Sequence, residues 1–122
     1  MRSGLYATVG GREYQAEKLP EGAYRIFSDR PEDGWLEENG RWSRIVARED
    51  VERLVSVKAV AVLGASRMDA YPVDGEHCRV VTSNKELAEV LGMEKLGRAE
   101  FQKVVPIAKL KSVTETEEQL EA

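Results

Sequence analysis

The chain has one cysteine, Cys78, and one histidine, His77, in 122 residues. A single thiol excludes an internal disulfide and fits a reducing compartment. With one residue of each type, the usual zinc ligand sets cannot be assembled, and no metal or other cofactor is expected. The two are adjacent, so in a strand they point to opposite faces and cannot work together as base and nucleophile. Ser3, Ser28, Ser43 and Ser56 lie in no nucleophile-elbow context. Gly10-Gly11 and Gly64 lack the following helix and lysine of a phosphate loop. No catalytic residue stands out, so an enzyme is not expected. Long apolar runs are missing too. The longest, Ala59 to Leu63, is far short of the ~18 residues of a membrane span, and the first eight residues contain no signal-peptide core. A cytoplasmic protein without a membrane contact is the expectation. Basic charge is in deficit: net charge is −4, and each half, split after Ser56, carries nine basic and eleven acidic residues. Neither half has the basic excess that marks a nucleic-acid footprint, so nucleic acid is not the expected partner.

The chain does contain an internal repeat. Shifted by 54 positions, Leu5 to Asp29 falls without a gap on Ala59 to Ser83. Identities are Ala7/Ala61, Gly10/Gly64, Ala16/Ala70 and Arg25/Arg79. Conservative pairs include Tyr14/Met68, Ile26/Val80 and Ser28/Thr82. After five extra residues the register returns, with Trp42 to Val46 on Phe101 to Val105, and with Val51 and Leu54 on Leu110 and Val113. A duplicated unit of about 55 residues buries a marginal core alone, so the two copies are expected to pack on each other.

Each copy reads as short strands joined by tight turns. Leu5 to Val9, the Gly10-Gly11 turn and the alternating Arg12 to Glu17 form a hairpin. Leu19-Pro20-Glu21-Gly22 turns into Ala23 to Ser28. A polar loop, Asp29 to Gly34, precedes Trp35-Leu36, an Asn39-Gly40 turn, a strand over 41–47 and one helical turn at Asp50 to Leu54. In the second copy the spacing predicts a helix over 84–91 in place of that loop. Ser83 would cap it with Glu86 reaching back, Leu87, Val90 and Leu91 would form its apolar stripe, and Gly92 would end it. A second helical turn follows at Pro106 to Leu110. From Thr114 onward the Glu-rich sequence reads as a disordered acidic tail.

Five strands with a helical turn before the last one follow the plan of a small barrel. Each half resembles a Src-homology-3-like barrel. The resemblance is carried by Tyr14, Ile26, Trp42, Val46 and Val51, and by Met68, Val80, Phe101, Val105 and Leu110. It covers about residues 5–113 and implies an all-β protein of two tandem barrels, 1–56 and 57–113, with one short helix and a tail at 114–122. The acidic-aromatic loop, double-tryptophan and proline-tyrosine signatures of the peptide-binding members are missing, so the resemblance does not imply proline-rich ligands. The chain also resembles, in general style, small acidic bacterial immunity-type proteins.

The candidate contact residues cluster within ten positions: Asp29, Arg30, Asp33, Trp35, Glu37 and Glu38, with Glu32 among them. An aromatic anchor rimmed by carboxylates suits a basic protein surface. The competing reading is a solvated loop whose tryptophan covers the barrel end. Trp42 and Phe101, repeat-equivalent, read as core. The expected function is non-catalytic binding of a basic protein partner, in an immunity or inhibitor role, by a monomer or homodimer. The alternative is an RNA- or ribosome-associated module.

Overall fold

The structure, a computed structural model, describes residues 1–121. The protein is all-β with one short helix, as the sequence predicts. Its elements are β1 (Gly4–Val9), β2 (Arg12–Lys18), β3 (Tyr24–Ser28), β4 (Leu36–Glu38), β5 (Arg41–Val46), β6 (Arg53–Leu63), β7 (Ser66–Pro72), β8 (His77–Thr82), α1 (Lys85–Leu91), β9 (Glu94–Lys95), β10 (Phe101–Pro106) and β11 (Ser112–Leu120). Single 3₁₀ turns at Arg48–Asp50 and Ile107–Lys109 precede β6 and β11. Among the described residues no helix is long and apolar enough to cross a membrane.

The turns follow from their residues. Gly10 and Gly11 take φ of +60° and +78°, and Asn39 and Gly40 take +53° and +76°. Positive φ at both central positions is the two-residue hairpin geometry whose twist matches the flanking strands. The hairpins close at Val9↔Arg12 and Glu38↔Arg41.

The chain divides into two compact units. The first comprises Gly4–Val57 and the chain from Glu117 onward; the second comprises Met1–Ser3 and Lys58–Thr116. In the first the strand order is β4-β5-β3-β2-β1 followed by the start of β6. In the second the end of β6 is followed by β7-β8-β10-β9. The two ladders share one register. Ala7↔Tyr14 is matched by Ala61↔Met68, Ala16↔Ile26 by Ala70↔Val80, and Tyr24↔Val46 by Cys78↔Val105. The closing loops match as well: Glu52 N donates to Thr8 O at 2.8 Å, and Lys111 N donates to Val62 O at 2.7 Å. These pairs stand at the 54- and 59-residue offsets of the sequence repeat.

Each unit has its own core. Ala7, Tyr24, Ile26, Val46, Val51 and Leu54 form the first, with Tyr14, Trp35 and Leu120 half-buried against it. Ala59, Ala61, Met68, Ala70, Cys78, Val80 and Val105 form the second, with Leu87, Leu91, Met93 and Val113 against it. Strand β6 supplies Leu54 to one core and Ala59 and Ala61 to the other, which is why it runs on for eleven residues without a linker.

Four expectations need correction. Both helical turns are shorter than expected: the first lies earlier, at 48–50, because Arg53 already begins a strand, and the second, at 107–109, falls within its expected span. Asn84, not Ser83, caps α1: its Oδ1 accepts from Leu87 N at 3.1 Å, and Val90 stands exposed instead of joining the stripe. The boundary lies one residue later than 56/57, within a strand, and both termini cross it: Met1–Ser3 belongs to the second unit and the chain from Glu117 to the first. The tail read as disordered over 114–122 is mostly strand, since β11 reaches Leu120 and pairs with β6. Ala122 lies outside the described residues. Long-range partners explain that order. Arg2 pairs with Glu115 at 3.0 Å, Arg53 with Glu117 at 3.4 Å, and Leu120 packs on the first core.

Candidate functional site

The predicted contact segment connects β3 to β5 in the first unit. Ser28 Oγ accepts from Arg30 N at 3.1 Å and starts the loop, and Trp35 N donates to Glu32 O at 3.2 Å, folding Glu32 to Trp35 into a turn. That turn lays Trp35 across Tyr14, with ring centroids 5.1 Å apart and planes at 51°. The tilted offset is a favoured aromatic geometry. Trp35 is half-buried, so it is partly the lid of the core and only partly available as an anchor.

Beside the Trp35 and Tyr14 rings lies a cleft of about 280 Å³ lined by Val9, Gly10, Arg12, Tyr14, Ile26, Glu32, Trp35 and Arg44. The β1–β2 turn provides one wall and the 32–35 turn another. Ile26, fully buried on β3, lies at its base, and Arg44 reaches in from β5, where it pairs in register with Ile26. The Arg12 guanidinium stands 3.9 Å from Glu32. The Arg44 side chain has no hydrogen bond or ion pair among the described residues. The cleft therefore combines an aromatic wall, an aliphatic base and mouth charges of both signs, one of them an uncompensated cation.

Of the predicted segment, Trp35 and the neighbouring Glu32 line this cleft. Asp29, Arg30 and Asp33 stand exposed on the loop, and Glu37 and Glu38 stand exposed on β4, opposite Trp42 and Arg41. The four carboxylates Asp29, Asp33, Glu37 and Glu38 have no side-chain partner among the described residues. Arg12, Tyr14 and Arg44 were not singled out as cleft residues by the sequence, because their convergence depends on a series of strand pairings, among them Ile26↔Arg44, 18 positions apart. Trp42, read as core, is half-exposed outside either cluster, as is its counterpart Phe101.

Cys78 and His77 do not line the cleft. Cys78 is fully buried, and burial pushes its thiol up from the ordinary value. His77 faces a turn, with Nδ1 3.0 Å from Asp74 Oδ1. The Glu76 N–H, followed by His77, holds the Asp74 carboxyl below its usual value. Among the described residues no group of three or more His, Cys, Asp and Glu is placed to hold a metal. On the outer faces two arginines lie over rings. Arg41 covers Phe27 at 4.1 Å and bonds Gln15, while Arg79 covers Tyr71 at 5.1 Å and donates to Gln102 at 3.1 Å. Such stacking fixes a guanidinium on a sheet face.

The chain belongs to the family described as "Uncharacterised conserved protein UCP033725", matched over residues 1–121. No curated protein and no solved structure matches it.

Proposed function

Taking the chain as a member of that family, we propose that it is a non-catalytic protein-binding module whose contact face centres on Trp35 and the flanking segment 29–38. The observation that carries this reading is the cleft. At about 280 Å³ it lies at the lower edge of the ~300–1,000 Å³ typical of small-molecule sites. An aromatic wall ringed by charge is the composition of a protein hot spot, where one or two partner side chains seat and a polar rim excludes water. Unpaired Asp29, Asp33, Glu37 and Glu38 favour a basic partner by steering encounter and rejecting acidic surfaces. An inhibitor or immunity-type role, in which this face covers the basic groove of a toxin or enzyme, follows from that charge. The strand order, with a 3₁₀ turn ahead of the closing strand, supports reading each unit as a Src-homology-3-like barrel. One buried thiol supports a cytoplasmic setting.

Affinity capture from lysate, with and without nuclease, tests the reading when run beside an Asp33→Lys/Glu37→Lys double variant. The expected outcome is a dominant basic protein that survives nuclease and is lost with the variant. Recovery of nuclease-sensitive ribosomal or RNA-linked proteins would overturn it in favour of the RNA-associated alternative, as would capture that ignores the charge reversal.

A further inference from the structure

The repeat supplies an internal comparison for the cleft. Its lining positions Val9, Gly10, Tyr14 and Ile26 correspond to Leu63, Gly64, Met68 and Val80 in the second unit, and Arg44 corresponds to Lys103. The register confirms the match: Arg44 pairs with Ile26 and Lys103 with Val80. Both partners are fully buried. The two units differ in what covers this end of the core. In the second, the segment between the third and fourth ladder strands folds as α1, and Leu87 and Leu91, one turn apart, pack on the core with Met93. The Lys103 Nζ donates to Leu91 O at 2.8 Å, at the C-terminal end of that helix, where Gly92 takes φ of +66°. A cation there satisfies a carbonyl that has no partner within the helix and meets the negative end of its dipole. In the first unit the corresponding segment is a loop. That loop lays one ring, Trp35, on the core, the cleft stays open, and the equivalent cation, Arg44, has no partner among the described residues.

We propose that the first-unit cleft receives a short amphipathic helix of the protein partner. Its apolar side chains, spaced i and i+4, seat on the Tyr14–Trp35 wall above Ile26, and its last-turn carbonyls are taken by Arg44. The second unit carries the template of this occupant in its own chain. Arginine suits an intermolecular version of the Lys103 contact, since its planar fork offers several donors to converging carbonyl or carboxylate oxygens. Arg12, mostly exposed at the mouth, adds a preference for an acidic residue on the helix flank. The assignment names the binding mode of the protein-binding reading and rests on it.

The test uses the full chain and a side-chain-stapled helical peptide carrying the sequence of residues 83–93, since a free peptide this short is not helical in water. Titration is followed through the indole N–H resonances of Trp35 and Trp42. The expected result is a saturable shift of the Trp35 resonance, weakened about tenfold by Arg44→Glu, the loss of one charge-assisted contact. Arg98→Glu, an exposed change in the second unit, should leave it unchanged. Absence of a Trp35 shift overturns the proposal. So does equal affinity of the Arg44→Glu variant, an equal response to a scrambled stapled peptide, or the same Trp35 shift produced by phosphate alone. The two readings fail separately. A null titration with partner capture still sensitive to Asp33→Lys/Glu37→Lys removes the helix mode alone, whereas capture insensitive to both sets of variants removes the protein-binding reading itself.

Discussion

A chain ending after Val113 tests whether the acidic C-terminal run is structural. Three contributions are lost. Leu120 is half-buried against the first core, and about half of the ~1.5–3 kcal/mol of a fully buried leucine amounts to about 1 kcal/mol. The Arg2–Glu115 pair is 3.0 Å long with both side chains near 30% exposed, and Glu115 also accepts from Arg2 N at 3.1 Å. Screening limits such a pair to about 0.5–1 kcal/mol. Arg53–Glu117, longer at 3.4 Å and more exposed, adds a few tenths. The ladder bonds of β11, each contributing about 0.5–1.5 kcal/mol net, are largely offset by the entropy of ordering its residues, about 1–2 kcal/mol apiece. The loss is therefore about 2 kcal/mol. For a chain of this length that corresponds to a fall in Tm of roughly 6–12 °C. Calorimetry of the two chains gives the answer, and Leu120→Ala alone should reproduce about half of the fall. A truncated chain melting within about 1 °C of the full one would refute the reasoning and restore the solvated tail.

Protonation of Glu115 should weaken the same strand. Partial burial pushes its carboxyl up, but the Arg2 backbone N–H, side chain and charge together outweigh this and hold it below the ordinary 4.5. A group depressed in the folded state contributes fully above its unfolded value and loses that contribution as pH falls through the folded one. The Tm gap between the native chain and Glu115→Gln should thus be constant near neutrality and close below about pH 4; a gap independent of pH would remove Arg2 as the cause. The sheet faces can be checked with two isoleucines. Ile26→Ala, at a fully buried site, should lower unfolding free energy by about 2–5 kcal/mol, whereas Ile45→Ala, 57% exposed on β5, should change it by less than about 0.5 kcal/mol in denaturant titration.

Local sequence carried much of the architecture because strand alternation and turn chemistry act over short range. Gly10-Gly11 and Asn39-Gly40 need no distant partner to make a hairpin, and the 3₁₀ turns announce themselves by spacing even where their ends slip. The repeat did more, because Ala7/Ala61 and Ile26/Val80 lie at the same register in both ladders. What stayed hidden was order that depends on distant residues. Glu115 and Glu117 look like solvated tail until Arg2 and Arg53, 113 and 64 positions away, arrive beside them. The exchange of the termini between units is invisible for the same reason.

The proposed contact face shows the same division more sharply. Trp35 could be picked out by its sequence neighbours, but what it faces could not, since the cleft is made where β1, β2, β3 and β5 bring Val9, Tyr14, Ile26 and Arg44 together. Of the acidic residues in the segment, Glu32 lines the cleft and pairs with Arg12, whereas Asp29, Asp33, Glu37 and Glu38 stand exposed and unpaired around it, suited to attraction more than to anchoring. In the proposed binding mode, anchoring falls to a different set, and the repeat is what distinguishes them. At one register position the chain holds a lysine already bonded to its own helix and an arginine with no partner among the described residues. Fold requirements alone act equally on both positions, since each pairs with a fully buried neighbour in its ladder. The difference between them therefore lies in what covers each unit, helix α1 in the second and the Trp35 ring beside an open cleft in the first.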